Sequence, residues 1–169
     1  MQMHENENDR SRRQLGYLLG RAALLKDRLL DAHLAEIDIT AAQLKVLVNI
    51  AVGCMQRPSD LCQLFNIDSG AMTRMLDRLE KKGLIVRRRD ARDRRMIQLA
   101  MTEKGSDAVK HGIVLAEGAF DELTQALSVE EFGQLTACLQ KILVSAGQPP
   151  CFPGVTFPEG IASGSRHDG

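Results

Sequence analysis

Between Asp68 and Met101 the chain carries a pattern that few folds can satisfy: a strongly basic amphipathic stretch, a glycine stop, and two short strand-like runs flanking an arginine-rich segment. Ala71, Met72, Met75, Leu76 and Leu79 recur at helical spacing on one face, while Thr73, Arg74, Asp77, Arg78 and Lys81 fall on the other. Asp68 or Ser69 can cap the start of this helix, and Gly83 suits a left-handed end. Residues 84–89 and 96–101 read as strands, joined as a hairpin by the polar stretch 90–95. Just upstream, Pro58 suits a first helical turn, and Leu61, Leu64 and Phe65 predict a short helix that ends at a tight connection over 66–68. Short helix, tight turn, basic helix and hairpin form the order of a winged helix-turn-helix.

The flanks are helical. Leu15, Leu18, Leu19, Ala22, Leu25, Leu29 and Leu30 predict one long amphipathic helix over Asp9–Leu34. A T-x-x-Q capping box at Thr40 and Gln43 opens the next helix, which Gly53 ends. Thr102 caps a helix reaching to near Leu127, and an S-x-x-E box at Ser128 and Glu131 opens the last, stopped by Gly147, Pro149 and Pro150. The expected class is mainly α, with a small β wing. Functionally the chain divides into a dimerisation helix over 1–37, a DNA-binding domain over 38–101, dimerisation helices over 102–146 and a flexible tail over 147–169, with hinge-like joins between clasp and reader.

Charge distribution points to the partner. The formal net charge is zero, yet Arg74 to Arg95 holds ten basic and four acidic residues, a net of +6 that the remainder must offset. One concentrated basic face on an otherwise acidic chain suits an oriented phosphate-binding surface and suppresses indiscriminate adhesion. With 44% apolar and 26% charged residues, no apolar run long enough to cross a bilayer and no secretory signal pattern at the N-terminus, the expected location is the cytoplasm, away from membranes. Cys54, Cys62, Cys138 and Cys151 form no disulfide or zinc spacing, and His33 and His111 have no metal-ligand partner at helical spacing, so neither metal nor cofactor is expected.

Each part of the central pattern has a chemical use on DNA. Ser69, Gly70 and Ala71 at a helix start offer backbone N–H groups and let phosphate approach closely. Thr73, Arg74 and Arg78 share the outer face, where a guanidinium can fork onto guanine and threonine can meet phosphate or a thymine methyl. Arg92, Arg94 and Arg95 at the hairpin tip can enter a minor groove, with Asp93 orienting one of them through an ion pair.

The sequence D-x-R-D-x-R at Asp90, Arg92, Asp93 and Arg95 and M-T-R-M-L-D-R-L at Met72–Leu79 resemble the wing and recognition helix of the MarR (multiple antibiotic resistance regulator) family. The D-I-T-A-A-Q run from Asp38, the Lys82-Gly83 helix end and the M-T-E-K-G run from Met101 are similar too, and the resemblance covers roughly residues 9–144. It implies six helices with a three-stranded wing, a homodimer clasped by the first and last two helices, a pseudo-palindromic double-stranded operator, and no enzymatic activity. It also implies a repressor released by a phenolic or aromatic-acid inducer, with Pro58, Thr73 and Arg87 against the ligand and Arg87 as counter-ion to a carboxylate.

Three other readings remain open. A thiol-based redox-sensing repressor of the same fold would use one of the cysteines, of which Cys151 in the tail is the most accessible. A winged helix serving only protein contacts should lack the arginine-rich tip. An enzyme should show a nucleophile elbow, phosphate loop or metal spacing, and none occurs in the sequence.

Overall fold

The computed structural model describes residues 7–52, 57–89 and 97–147. Its elements are α1 (Glu7–Leu34), a 3-10 turn (Ala35–Ile37), α2 (Ala41–Ala51), α3 (Pro58–Phe65), α4 (Ser69–Lys81), β1 (Ile85–Arg89), β2 (Ile97–Met101), α5 (Glu103–Thr124) and α6 (Val129–Ser145). The six expected helices are present. Helix α1 starts two residues earlier than the periodicity predicts, and the 3-10 turn that follows it was not foreseen. The wing has two strands among the described residues, against the three that the resemblance implies, and they pair antiparallel in the register Ile85↔Met101, Arg87↔Leu99 and Arg89↔Ile97. Gly53, expected to end α2, and the tail beyond Gly147 lie outside the described residues; α2 closes at Val52.

Helix α2 forms the centre because nearly its whole circumference is covered: Ala41, Gln43, Leu44 and residues 46–50 are buried. Around it one continuous core joins Leu30 and Leu34 of α1, Leu61 of α3, Met72, Leu76 and Leu79 of α4, Leu84, Ile85 and Leu99 of the hairpin, and Val109 and Ala119 of α5. One core therefore runs across the boundaries expected at 37/38 and 101/102.

Polar bonds stiffen the same joins. Asp38 adopts a left-handed backbone (φ 53°) that turns the chain out of the 3-10 helix, and Thr40 then caps α2, its hydroxyl accepting the Gln43 N–H while Gln43 Oε1 accepts the Thr40 N–H. Asp31 of α1 accepts the Ala41 N–H at 2.7 Å. Lys82, just past α4, donates to the Asp38 carbonyl and pairs with the Asp38 carboxylate at 3.2 Å, and its own carbonyl accepts the Lys104 ammonium at 2.9 Å. His33 meets Glu122 at 3.0 Å and His111 meets Glu36 at 3.5 Å, which ties α1 and its 3-10 extension to α5. Where a hinge was expected, the structure has a network of capped and cross-bonded ends.

The Thr102-Glu103-Lys104-Gly105 run has a specific task there. Thr102 caps α5 through the Gly105 N–H at 2.9 Å, and its hydroxyl also donates to the Gly83 carbonyl at 2.7 Å. A Cβ on Gly105 would collide with the Leu84 carbonyl, so only glycine lets α5 approach the hairpin this closely.

Candidate nucleic-acid interface

Helix α4 owes its position to a division of faces. Met72, Leu76 and Leu79 are buried to within about 1% exposure, which leaves Thr73, Arg74, Asp77, Arg78 and Lys81 directed to solvent. Its start is built by two residues. Asn66 closes α3 in the left-handed region (φ 50°), and Asp68 caps α4 by accepting the Ala71 N–H at 2.8 Å. That backbone N–H, with help from the Gly70 N–H and the Arg74 charge, holds the Asp68 carboxyl below its ordinary value of 3.8.

This cap changes how the helix start can meet phosphate. Ser69, Gly70 and Ala71 were predicted to offer free N–H groups, but the Ala71 N–H is already taken by the Asp68 carboxylate. An incoming phosphate competes with that side chain. Gly70 lies between the Asp68 carboxylate and the Arg74 guanidinium: a Cβ there would come 3.1 Å from Asp68 Oδ1 and 3.4 Å from Arg74 Nη1. Arg74 thus folds toward the helix start, placing its cation beside the first turn. Thr73 donates its hydroxyl proton to the Ser69 carbonyl at 2.7 Å, so its methyl and a remaining lone pair are what it can offer to DNA without losing that bond. Arg78, one turn beyond Arg74, is exposed.

The hairpin emerges beside this face. Arg87 of β1 extends its guanidinium to two carboxylates of α4, Asp77 Oδ1 and Glu80 Oε2, each at 2.7 Å, while Glu80 Oε1 accepts the Arg87 backbone N–H at 3.2 Å. Arg88, pointing the opposite way in the strand alternation, lines an open hollow of about 370 Å³ with Ile50, Ala51, Gln98 and residues 99–101. Arg89 is exposed. The tip residues Arg92, Asp93, Arg94 and Arg95 lie outside the described residues, as do Cys54 and Cys151. Cys62 and Cys138 are free thiols, and among the described residues no group of three metal-ligating side chains occurs.

Of the residues predicted to meet DNA, Ser69, Thr73, Arg74 and Arg78 are exposed on α4, while Gly70 and Ala71 of its first turn are half-buried. Of those predicted to meet a ligand, Thr73 is exposed on that helix, Pro58 begins α3, and Arg87 is engaged in ion pairs. Sequence reasoning missed the structural roles of Asp77, Glu80 and Lys82. Their available signal was that Asp77 and Glu80 are acids, three residues apart, inside the most basic stretch of the chain.

Comparison with known proteins agrees with this architecture. The MarR family model matches residues 39–97, which run from the start of the α2 cap into the wing. The multiple antibiotic resistance protein MarR of Escherichia coli K12 is 37% identical over 131 residues, covering 76% of this chain and 90% of that protein. The HTH-type transcriptional regulator SarZ of Staphylococcus saprophyticus is 30% identical over 139 residues, covering 82% and 94%. Among solved structures, a cysteine-to-serine variant of E. coli MarR complexed with operator DNA superposes with a TM-score of 0.69 at 37% identity, covering 77% of this chain and 94% of that one. The reduced form of E. coli MarR superposes with a TM-score of 0.72 at 37% identity, covering 76% and 96%. With helix, turn, capped basic helix and antiparallel hairpin in place, the chain belongs to the MarR family of winged-helix transcriptional regulators, proteins that are not enzymes.

Proposed function

We propose that this protein binds a pseudo-palindromic operator as a homodimer, represses transcription from it, and is released by a small phenolic or aromatic acid. The observation that carries the reading is the single exposed face of α4, on which Ser69, Thr73, Arg74 and Arg78 stand beside the root of the arginine-rich hairpin. In such an arrangement the helix reads base edges in the major groove, and Arg92, Arg94 and Arg95, oriented by Asp93, grip the adjacent minor groove or its phosphates.

Two long apolar surfaces support the dimer. Helix α6 has no buried residue, and Phe132, Leu135, Leu139, Ile142 and Leu143 are all exposed along it. The N-terminal part of α1 likewise exposes Leu15, Tyr17, Leu18, Leu24 and Leu25. Faces of this size on a single chain are covered by a second copy at the smallest cost, and a twofold axis then sets two recognition helices to meet successive major grooves. The complex of E. coli MarR with operator DNA supports the partner. No helix among the described residues is long and apolar enough to cross a membrane, which fits a regulator that meets DNA in the cytoplasm.

The inducer is assigned to Pro58, Thr73 and Arg87, with its carboxylate competing for the Arg87 guanidinium. A ligand need only prefer a dimer whose recognition helices are spaced wrongly for the groove, and a preference of about 100-fold shifts binding by roughly 2.7 kcal/mol. The test is a mobility-shift titration of a labelled operator, across a salt series and with salicylate added. Salt-sensitive binding of a dimer that salicylate weakens is the expected result. Absence of any DNA shift favours a protein-contact module. Reversible release by mild oxidant with indifference to salicylate favours the thiol reading, for which Cys151 and Cys138, the latter free and exposed on α6, are the residues to replace.

A further inference from the structure

We propose that Glu80 is a positioning residue that locks the hairpin against α4, so that recognition helix and wing address DNA at one fixed separation. The inference rests on the DNA-binding reading and names the residue of this chain that makes the two reading elements one rigid unit.

Along β1, residues 85 and 87 share a face. Ile85 is wholly buried in the core, and Leu99, the cross-strand partner of Arg87, is buried as well, but on β1 itself the next residue of that face is Arg87, which lies over the last turns of α4. There the attachment becomes ionic. Glu80 binds Arg87 twice, accepting the backbone N–H at 3.2 Å with one oxygen and the guanidinium at 2.7 Å with the other. The first bond fixes the strand and the second fixes the side chain, so the pair restrains both translation and rotation of β1. Asp77 adds a second carboxylate to the same guanidinium.

The sign of the charge makes the argument sharper. Near phosphate, an acidic side chain on α4 opposes binding, and simple electrostatics predicts that its removal tightens the complex and steepens its salt dependence. A positioning role predicts the reverse: once the hairpin loses its tie, the tip arginines meet phosphate less often.

The experiment uses full-length protein and a DNA site selected by the wild type from a random pool, with Glu80→Ala and Glu80→Gln compared for affinity and salt slope. The heteronuclear NOE of the hairpin amides is measured in the free proteins. Expected are roughly tenfold weaker binding by Glu80→Ala with a salt slope shallower by about 1, and a lowered NOE along 85–89 and 97–101. Glu80→Gln keeps an acceptor for the Arg87 N–H and recovers part of each loss. Unchanged or tighter binding by Glu80→Ala overturns the proposal, and so does an NOE profile identical to wild type. If the wild type selects no site, the DNA-binding reading fails, and the NOE of the free proteins still decides whether Glu80 holds the hairpin.

Discussion

Arg87 Nη1 lies 2.7 Å from Asp77 Oδ1, so the proposed counter-ion for an acidic inducer already has an anion against it. A ligand carboxylate must therefore displace a resident one. Asp77 is about half exposed, and ion pairs of that kind contribute about 0.2–1 kcal/mol, so Asp77→Asn should lower the salicylate concentration that half-releases operator by about 1.4- to fivefold. Fluorescence anisotropy on a labelled operator reads this directly. A response that stays put, or moves upward, removes Arg87 from the ligand site.

Arg74 and Arg78 should carry sequence preference while Arg95 carries general affinity. Replacing either helix arginine with alanine is expected to cost roughly 1–3 kcal/mol on the selected site and much less on random DNA. Arg95→Ala should weaken both alike and flatten the salt slope. Equal losses on specific and random DNA for all three variants would contradict the division.

Gly105→Ala offers a test by sign. In an ordinary helix interior the change stabilises by up to about 1 kcal/mol, because glycine is the poorer helix former. Here the new methyl meets the Leu84 carbonyl and comes within 2.9 Å of Met101 Cε. Forcing atoms into a filled site costs about 1–3 kcal/mol, so urea unfolding should show net destabilisation. A stabilised variant would mean that α5 and the hairpin are not held this closely.

Acid should loosen the start of α4. The Asp68 carboxyl is held below its ordinary value of 3.8, chiefly by the Ala71 N–H. A group depressed on folding contributes stability that is present above its unfolded value and lost as pH falls through the lower folded value. The cap therefore operates fully at neutral pH and fails only below about pH 3.8. Amide exchange at residues 69–72 should rise across that window in the wild type. Asp68→Asn, which keeps a capping oxygen without a titrating proton, should flatten the profile; the same rise in both proteins would exclude Asp68 as its source.

The features legible in the sequence were those written over a few neighbouring residues. Thr40 with Gln43 and Ser128 with Glu131 form both halves of their capping boxes, and Pro58 opens a helix that ends at Phe65, because each needs only local geometry. The choice between Asp68 and Ser69 as cap was left open, and the hydrogen bond to Ala71 assigns it to Asp68. What escaped were bonds that exist only after the chain has folded back on itself. Lys82 reaches Asp38 from 44 residues away, and Lys104 reaches the Lys82 carbonyl from 22. Glu80 and Arg87 are near in sequence, yet a helix end and a left-handed glycine (φ 72° at Gly83) intervene, and no periodicity carries across that turn.

Because Leu30, Leu34, Val109 and Ala119 share their packing with the reader helices, the DNA-reading segment is not a transferable cassette. Excised as 38–101, it would present to water the side of Leu44 that packs beside Leu34 and Gly112, and Lys82 and Leu84 would lose the bonds to Lys104 and Thr102. Chimeras that exchange specificity between such regulators should therefore carry over the outward residues of α4 and the hairpin alone, leaving the inner face to the host. In this architecture recognition can diversify one exposed side chain at a time, while the surface that holds it is shared with α1 and α5.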